Sequence, residues 1–123
     1  MTLLDDRTTL LADTAWTPAC AYAHLIPGRG VGVLLDDGTQ AALFRLDDGS
    51  LAALGNIDPC SGAAVLSRGL VGDRGGRPVV QSPINKQAFA LDDGTCLDAP
   101  GVAVAVYPTR IGPGGQVLVG RPG

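Results

Sequence analysis

Four side chains could make a soft-metal site: Cys20, His24, Cys60 and Cys96. Three thiolates and one imidazole suit tetrahedral zinc. Cys20 and His24 are separated by three residues, a usable spacing, but Cys60 and Cys96 stand alone. Structural zinc sites carry paired short spacings, so the pattern argues against one here. Cys60, within Asp58-Pro59-Cys60-Ser61-Gly62, could act as a nucleophile only with a base beside it, and the sole histidine lies far upstream. All three cysteines are therefore expected as free thiols, widely spaced and odd in number as in a reducing compartment. Gly28-Arg29-Gly30-Val31-Gly32 has the glycines of a phosphate cradle, but no helix follows to face an anion. It reads as a loop entering a strand, and Gly112-Pro113-Gly114-Gly115 as a hairpin turn. Many aspartates sit in turns, so no acid–base pair can be assigned among them.

The elements that position these residues are short strands. Leu35-Asp36-Asp37-Gly38, Leu46-Asp47-Asp48-Gly49 and Leu91-Asp92-Asp93-Gly94 are near-identical turn signals. Asp tolerates left-handed backbone and Gly adopts it freely, so each closes a hairpin. Strands are expected at residues 16–21, 31–35, 40–46, 51–54, 77–81, 87–91, 102–107 and 116–119. Val102-Ala103-Val104-Ala105-Val106 alternates large and small, as a half-buried strand does. Helix is confined to one turn at residues 63–66. Residues 1–14 have weak periodicity and are expected to form a flexible leader ahead of one domain, 15–123. The predicted class is all-β, a sandwich or barrel of roughly eight to ten short antiparallel strands with little helix.

Composition excludes several functions. The 123-residue chain has a net charge of −3 and 4% aromatic residues, so it lacks the basic stripe and stacking platforms of a nucleic-acid binder. No apolar run approaches a membrane span. The first fifteen residues carry Asp5, Asp6 and Asp13 without a basic start, unlike a secretory signal. A cytoplasmic location is expected.

Two loops remain. The first is Asn56-Ile57-Asp58-Pro59-Cys60-Ser61-Gly62, continuing to Val65-Leu66-Ser67-Arg68-Gly69; the second is Ser82-Pro83-Ile84-Asn85-Lys86-Gln87-Ala88-Phe89. They resemble the two ligand loops of Rieske domains, in which two cysteines and two histidines hold a two-iron cluster. The ligand positions fall on Asp58, Cys60, Ser82 and Asn85, while Pro59, Pro83 and Phe89 are kept. A chain with one histidine, outside both loops, cannot supply two imidazoles there. With Ala42-Leu43-Phe44-Arg45 upstream, the ordered set resembles the small subunit of assimilatory NAD(P)H-dependent nitrite reductase, a cluster-free branch of the Rieske-like superfamily.

That resemblance implies a Rieske-like fold and no cofactor in this chain. It also implies a large catalytic partner subunit, which carries FAD, an iron–sulfur cluster and siroheme and reduces nitrite to ammonium. The alternatives are a cluster-free Rieske-like module of another oxidoreductase and, further off, a small zinc or thiol enzyme. A polar latch is expected between the former ligand loops, through Asp58 and Ser82, completed by Asn85 with Arg68 or Lys86. Arg68, Lys86, Arg74 and Arg77 are the partner-binding candidates, a basic cluster on an acidic chain.

Overall fold

Ten short strands, all paired antiparallel, build the computed structural model, which describes residues 16–121. The expected leader, residues 1–14, lies outside the described residues. The strands are β1 (Trp16–Ala21), β2 (Gly30–Leu34), β3 (Gln40–Arg45), β4 (Leu51–Gly55) and β5 (Leu70–Arg74). They continue with β6 (Arg77–Gln81), β7 (Ala88–Ala90), β8 (Val106–Tyr107), β9 (Thr109–Ile111) and β10 (Gln116–Gly120). They form three sheets, β1-β10-β9, β2-β3-β4-β8 and β5-β6-β7.

The central sheet has a core on each face, and the alternation along β3 decides which residue joins which. Ala41 and Leu43 pack with Val117 and Val119 of β10. Ala42 and Phe44 pack with Val80 of β6, Phe89 of β7 and Leu66 of the β4–β5 loop. Successive strand side chains point to opposite faces, so one strand serves two cores. Phe44 and Phe89 are fully buried, and each such side chain contributes roughly 1.5–3 kcal/mol of hydrophobic free energy.

The Asp-Asp-Gly segments are turns, as expected. Gly38, Gly49 and Gly94 have φ of 89°, 88° and 78°. In the first, the Gly38 amide donates to the Leu35 carbonyl at 2.9 Å and the Leu35 amide to Thr39 at 2.8 Å. That is a type I turn closed by a glycine bulge, repeated at Leu46–Ser50. The second Asp of each turn accepts from the residue after the glycine. Thr39, Ser50 and Thr95 thereby hold the Asp37, Asp48 and Asp93 carboxyls below the ordinary carboxylate range.

Three local expectations are corrected. The alternating segment 102–107 has the right faces, with Val102, Val104 and Val106 against the second core, but only Val106 and Tyr107 join the ladder. Upstream, the Val104 amide is drawn to the Gly94 carbonyl and the Cys96 amide to Val102, so the backbone follows the third turn instead of β4. Helix is not confined to one turn at 63–66: three single 3-10 turns form, at Tyr22–His24, Leu66–Arg68 and Pro113–Gly115. Ala64 bridges Ile57, and Asn56 captures the Leu66 and Ser67 amides. Strands β5 and β9 carry little apolar alternation and were not expected. They form because they pair with β6 and β10. Among the described residues no helix is long and apolar enough to cross a membrane.

Candidate functional site

The β4–β5 and β6–β7 loops meet at one end of the domain. The first is tied down by Asn56, which is 4% exposed. Its Oδ1 accepts from the Ser67 amide at 2.8 Å and its Nδ2 donates to Gln40 Oε1 at 3.2 Å. Asp58 then folds the tip. The Asp58 amide donates to the Ala63 carbonyl at 2.9 Å, and the Gly62 amide returns to the Asp58 carbonyl at 2.7 Å. The Cys60 amide donates to Asp58 Oδ1 at 2.8 Å, the local Asp-turn bond that suits Asp before Pro. Gly69 ends the loop against β6. A Cβ there would lie 2.4 Å from the Gln81 carbonyl, so the backbones approach only because the side chain is absent.

The second loop is closed by backbone bonds from Ser82 to Gln87 at 2.9 Å and from Lys86 to Ser82 at 3.0 Å. Lys86 takes the left-handed conformation, φ 64°, the one described non-glycine residue to do so. Such a residue persists only where its surroundings hold it. Here Gln81 Nε2 donates to the Lys86 carbonyl at 2.9 Å.

Across the two loops, Ser82 Oγ donates to Asp58 Oδ2 at 2.6 Å, and both residues are fully buried. The two positions that the sequence resemblance laid over the Rieske cysteines are bonded directly to each other. The two that match the histidines, Cys60 and Asn85, are exposed at the rim. Nothing in this arrangement fits a two-iron cluster. Asp58 and Ser82 are bonded across the space between the loops, and neither carboxylate nor hydroxyl is the thiolate that such a cluster takes. The remaining expected latch members stay outside it: Asn85, Arg68 and Lys86 are exposed and donate no side-chain bond to Asp58 or Ser82.

The other candidates are dispersed. Cys20 edges the first core and Cys96 sits in the second, on opposite faces of the central sheet. His24 is exposed in a turn after β1. Among the described residues no three His, Cys, Asp or Glu side chains form a metal-holding group, so the zinc constellation does not assemble. The Cys60 thiol is pushed up, first by local desolvation and then by the neighbouring Asp58 charge, the reverse of nucleophile activation. Arg74 pairs with Asp98 at 2.6 Å, and Arg77 with Asp92 and Asp93 at 3.0 and 2.9 Å. The basic cluster is thus half neutralised, leaving Arg68 and Lys86 outside these ion pairs.

Sequence reasoning gave Asn56 no role, although an Asn two residues before the Asp-Pro turn is placed to cap backbone amides. It also passed over Ile57 and Ile84, which are 51% and 49% exposed on the two loops. Each is an apolar residue inside a polar loop, and that contrast was the available signal.

Comparison with known proteins agrees with this geometry. The family model of the Rieske-like [2Fe-2S] domain matches residues 15–120. The NADH nitrite reductase small subunit of Salmonella typhimurium is 39% identical, over 78% of this chain and 89% of that one. The NAD(P)H nitrite reductase large subunit of Klebsiella oxytoca is 41% identical over 90% of this chain, which spans only 11% of that protein's length. A crystal structure from Mycobacterium tuberculosis, assigned as an NADH-dependent nitrite reductase small subunit, superposes with a TM-score of 0.85. It is 73% identical and covers 88% of this chain and 96% of its own. With that sequence match, this chain belongs to the nitrite reductase small-subunit family of Rieske-like domains.

Proposed function

We propose that the chain is the accessory small subunit of a cytoplasmic NAD(P)H-dependent nitrite reductase, docked on a large catalytic subunit and carrying no redox centre. The observation that carries this reading is the match within the Klebsiella oxytoca large subunit, where a domain like this chain is part of the large polypeptide. A separate chain of the same kind has the same place to occupy. The Asp58–Ser82 bond supports the absence of a redox centre, since it takes the positions an electron-transfer cluster would need. FAD, an iron–sulfur cluster and siroheme, with the reduction of nitrite to ammonium, then belong to the large subunit.

Docking uses the loop end. Ile57 and Ile84 give it apolar contact area, flanked by the exposed Pro59 and Pro83. Arg68 and Lys86 give it positive charge that steers association with an acidic surface. Arg74 and Arg77 add less, being already paired with aspartates. The test is co-purification with a tagged large subunit. The wild-type chain should be retained, and the double change Ile84→Asp with Lys86→Glu should stay folded and be lost. Retention of that variant at wild-type yield would move the interface elsewhere, and failure of the wild type to bind would refute the assignment.

A further inference from the structure

We propose that an apolar cavity beside the first loop receives an apolar side chain of the large subunit, anchoring a docking face that runs from the loop tips toward the chain ends. The inference deepens the proposed function and rests on it for the identity of the partner. The cavity measures about 310 Å³. The buried Tyr107 and the half-buried Val104 line it, with the exposed Ala103, Ala105, Ile57 and Pro59. No charged side chain among the described residues lines it. Its amide side chains are already engaged. Asn56 Nδ2 donates to Gln40 Oε1 at 3.2 Å, and Asn56 Oδ1 accepts from the Ser67 amide at 2.8 Å. Such a lining favours an apolar occupant over a charged one.

The chain ends point to the occupant. Strands β1 and β10 pair with Trp16 opposite Gly120, so the chain enters and leaves this sheet side by side. The Gly120 amide donates to the Pro108 carbonyl at 2.8 Å, one residue from Tyr107 of the cavity. The next residue, Arg121, lies near the first Asp-Asp-Gly turn. There the Asp37 carboxyl is lowered first by its bonds from Thr39 and then by the Arg121 charge. Thr39 lines the cavity as well. The cavity is therefore flanked by the first loop and by the end of β10. In the Klebsiella oxytoca large subunit, a domain 41% identical to this chain occupies 11% of one polypeptide. The strand ends of that domain lead into the rest of the protein. A tether at this place holds the attached polypeptide at high effective concentration over the surface around it. Apolar surface rimmed by polar residues marks a protein contact. The affinity of such a contact is concentrated in a few anchors seated in pockets. Through Ile57 the cavity is continuous with the loop tip, so one partner covers both.

The test uses the full chain with the tagged large subunit. The double change Ala103→Lys with Ala105→Lys places two charges in the cavity from exposed positions, so the variant should melt close to wild type. It should reduce recovered complex at least about tenfold. In the wild-type complex, hydrogen exchange in peptides covering 101–107 should slow relative to the free chain, a readout that needs no variant. Full retention of the folded double variant, or unchanged exchange at 101–107 in a formed complex, overturns the proposal while leaving the assignment as a small subunit intact. If the wild-type chain fails to bind, both readings fall. If the chain alone dimerises with the same protection, and the double change returns it to monomer, the cavity serves a second copy and the proposal is wrong.

Discussion

Removing the Asp58 side chain should cost more stability than any turn aspartate, for a reason the geometry makes countable. Its two oxygens take the Ser82 hydroxyl at 2.6 Å and the Cys60 amide at 2.8 Å, and both Asp58 and Ser82 are fully buried. In Asp58→Ala the Ser82 hydroxyl is orphaned in the interior, at about 1–3 kcal/mol, and the half-buried Cys60 amide adds about 1 kcal/mol. The sum is about 2–4 kcal/mol. For a domain of this length 1 kcal/mol moves Tm by about 4 °C, so thermal unfolding should fall by about 8–16 °C. Asp58→Asn keeps an acceptor for the Cys60 amide and lets the serine hydroxyl turn to accept, so it should lose less. Ser82→Ala should lose about 1–3 kcal/mol, and the double change Asp58→Ala with Ser82→Ala should cost about 1–2 kcal/mol less than the two singles added. Asp36→Ala, at an exposed turn position, should stay within about 0.5 kcal/mol of wild type. Calorimetry of the five variants decides it. If Asp58→Ala melts with wild type, or if the two single losses add in the double variant, the latch does not hold the loops together.

The remaining expectations concern iron, thiols and acid. The purified chain should be colourless and iron-free after anaerobic preparation, because Asp58, Cys60, Ser82 and Asn85 cannot reproduce two thiolates and two imidazoles; a visible band with stoichiometric iron would refute this. Thiol titration of the denatured, unreduced chain should find three free groups. In the native state only the exposed Cys60 should react quickly, Cys96 being buried, and its rate should climb with pH beyond the range of an ordinary thiol because its thiol is pushed up; a fast phase that survives Cys60→Ser would contradict this. The Asp37, Asp48 and Asp93 carboxyls are depressed below the ordinary value of 3.8. Their contribution is therefore present above that value and lost as pH falls through the lower folded-state values. Acid unfolding of the triple Asn variant should show a shallower limb below pH 3.8 than wild type, and coincident limbs would exclude the turns as its source.

What the sequence determined by itself is what local chemistry dictates. The Asp-Asp-Gly turns were legible because a left-handed glycine after Asp closes a hairpin in almost any surroundings. The strands between them followed, and β1 and β6 begin and end where the apolar pattern placed them. That the two loops hold no imidazole was legible by counting one histidine, outside both. The pairing of Asp58 with Ser82 could be anticipated only through the resemblance to ligand loops, since the partners lie 24 residues apart. Tertiary structure decided the rest. Strand β5 has a sequence that could be coil, and becomes a strand because β6 offers it a ladder. Val102–Ala105 has a sequence that reads as strand, and is withheld from the ladder by competing bonds from the third turn. The charge of Arg74 and Arg77 reads as a basic patch along the chain, and is cancelled by Asp98, Asp92 and Asp93 brought in from elsewhere. Turn chemistry acts over a few residues and is written in their order. Ladder pairing and charge neutralisation act between segments far apart in the chain, and exist only once the fold has brought them within hydrogen-bond reach.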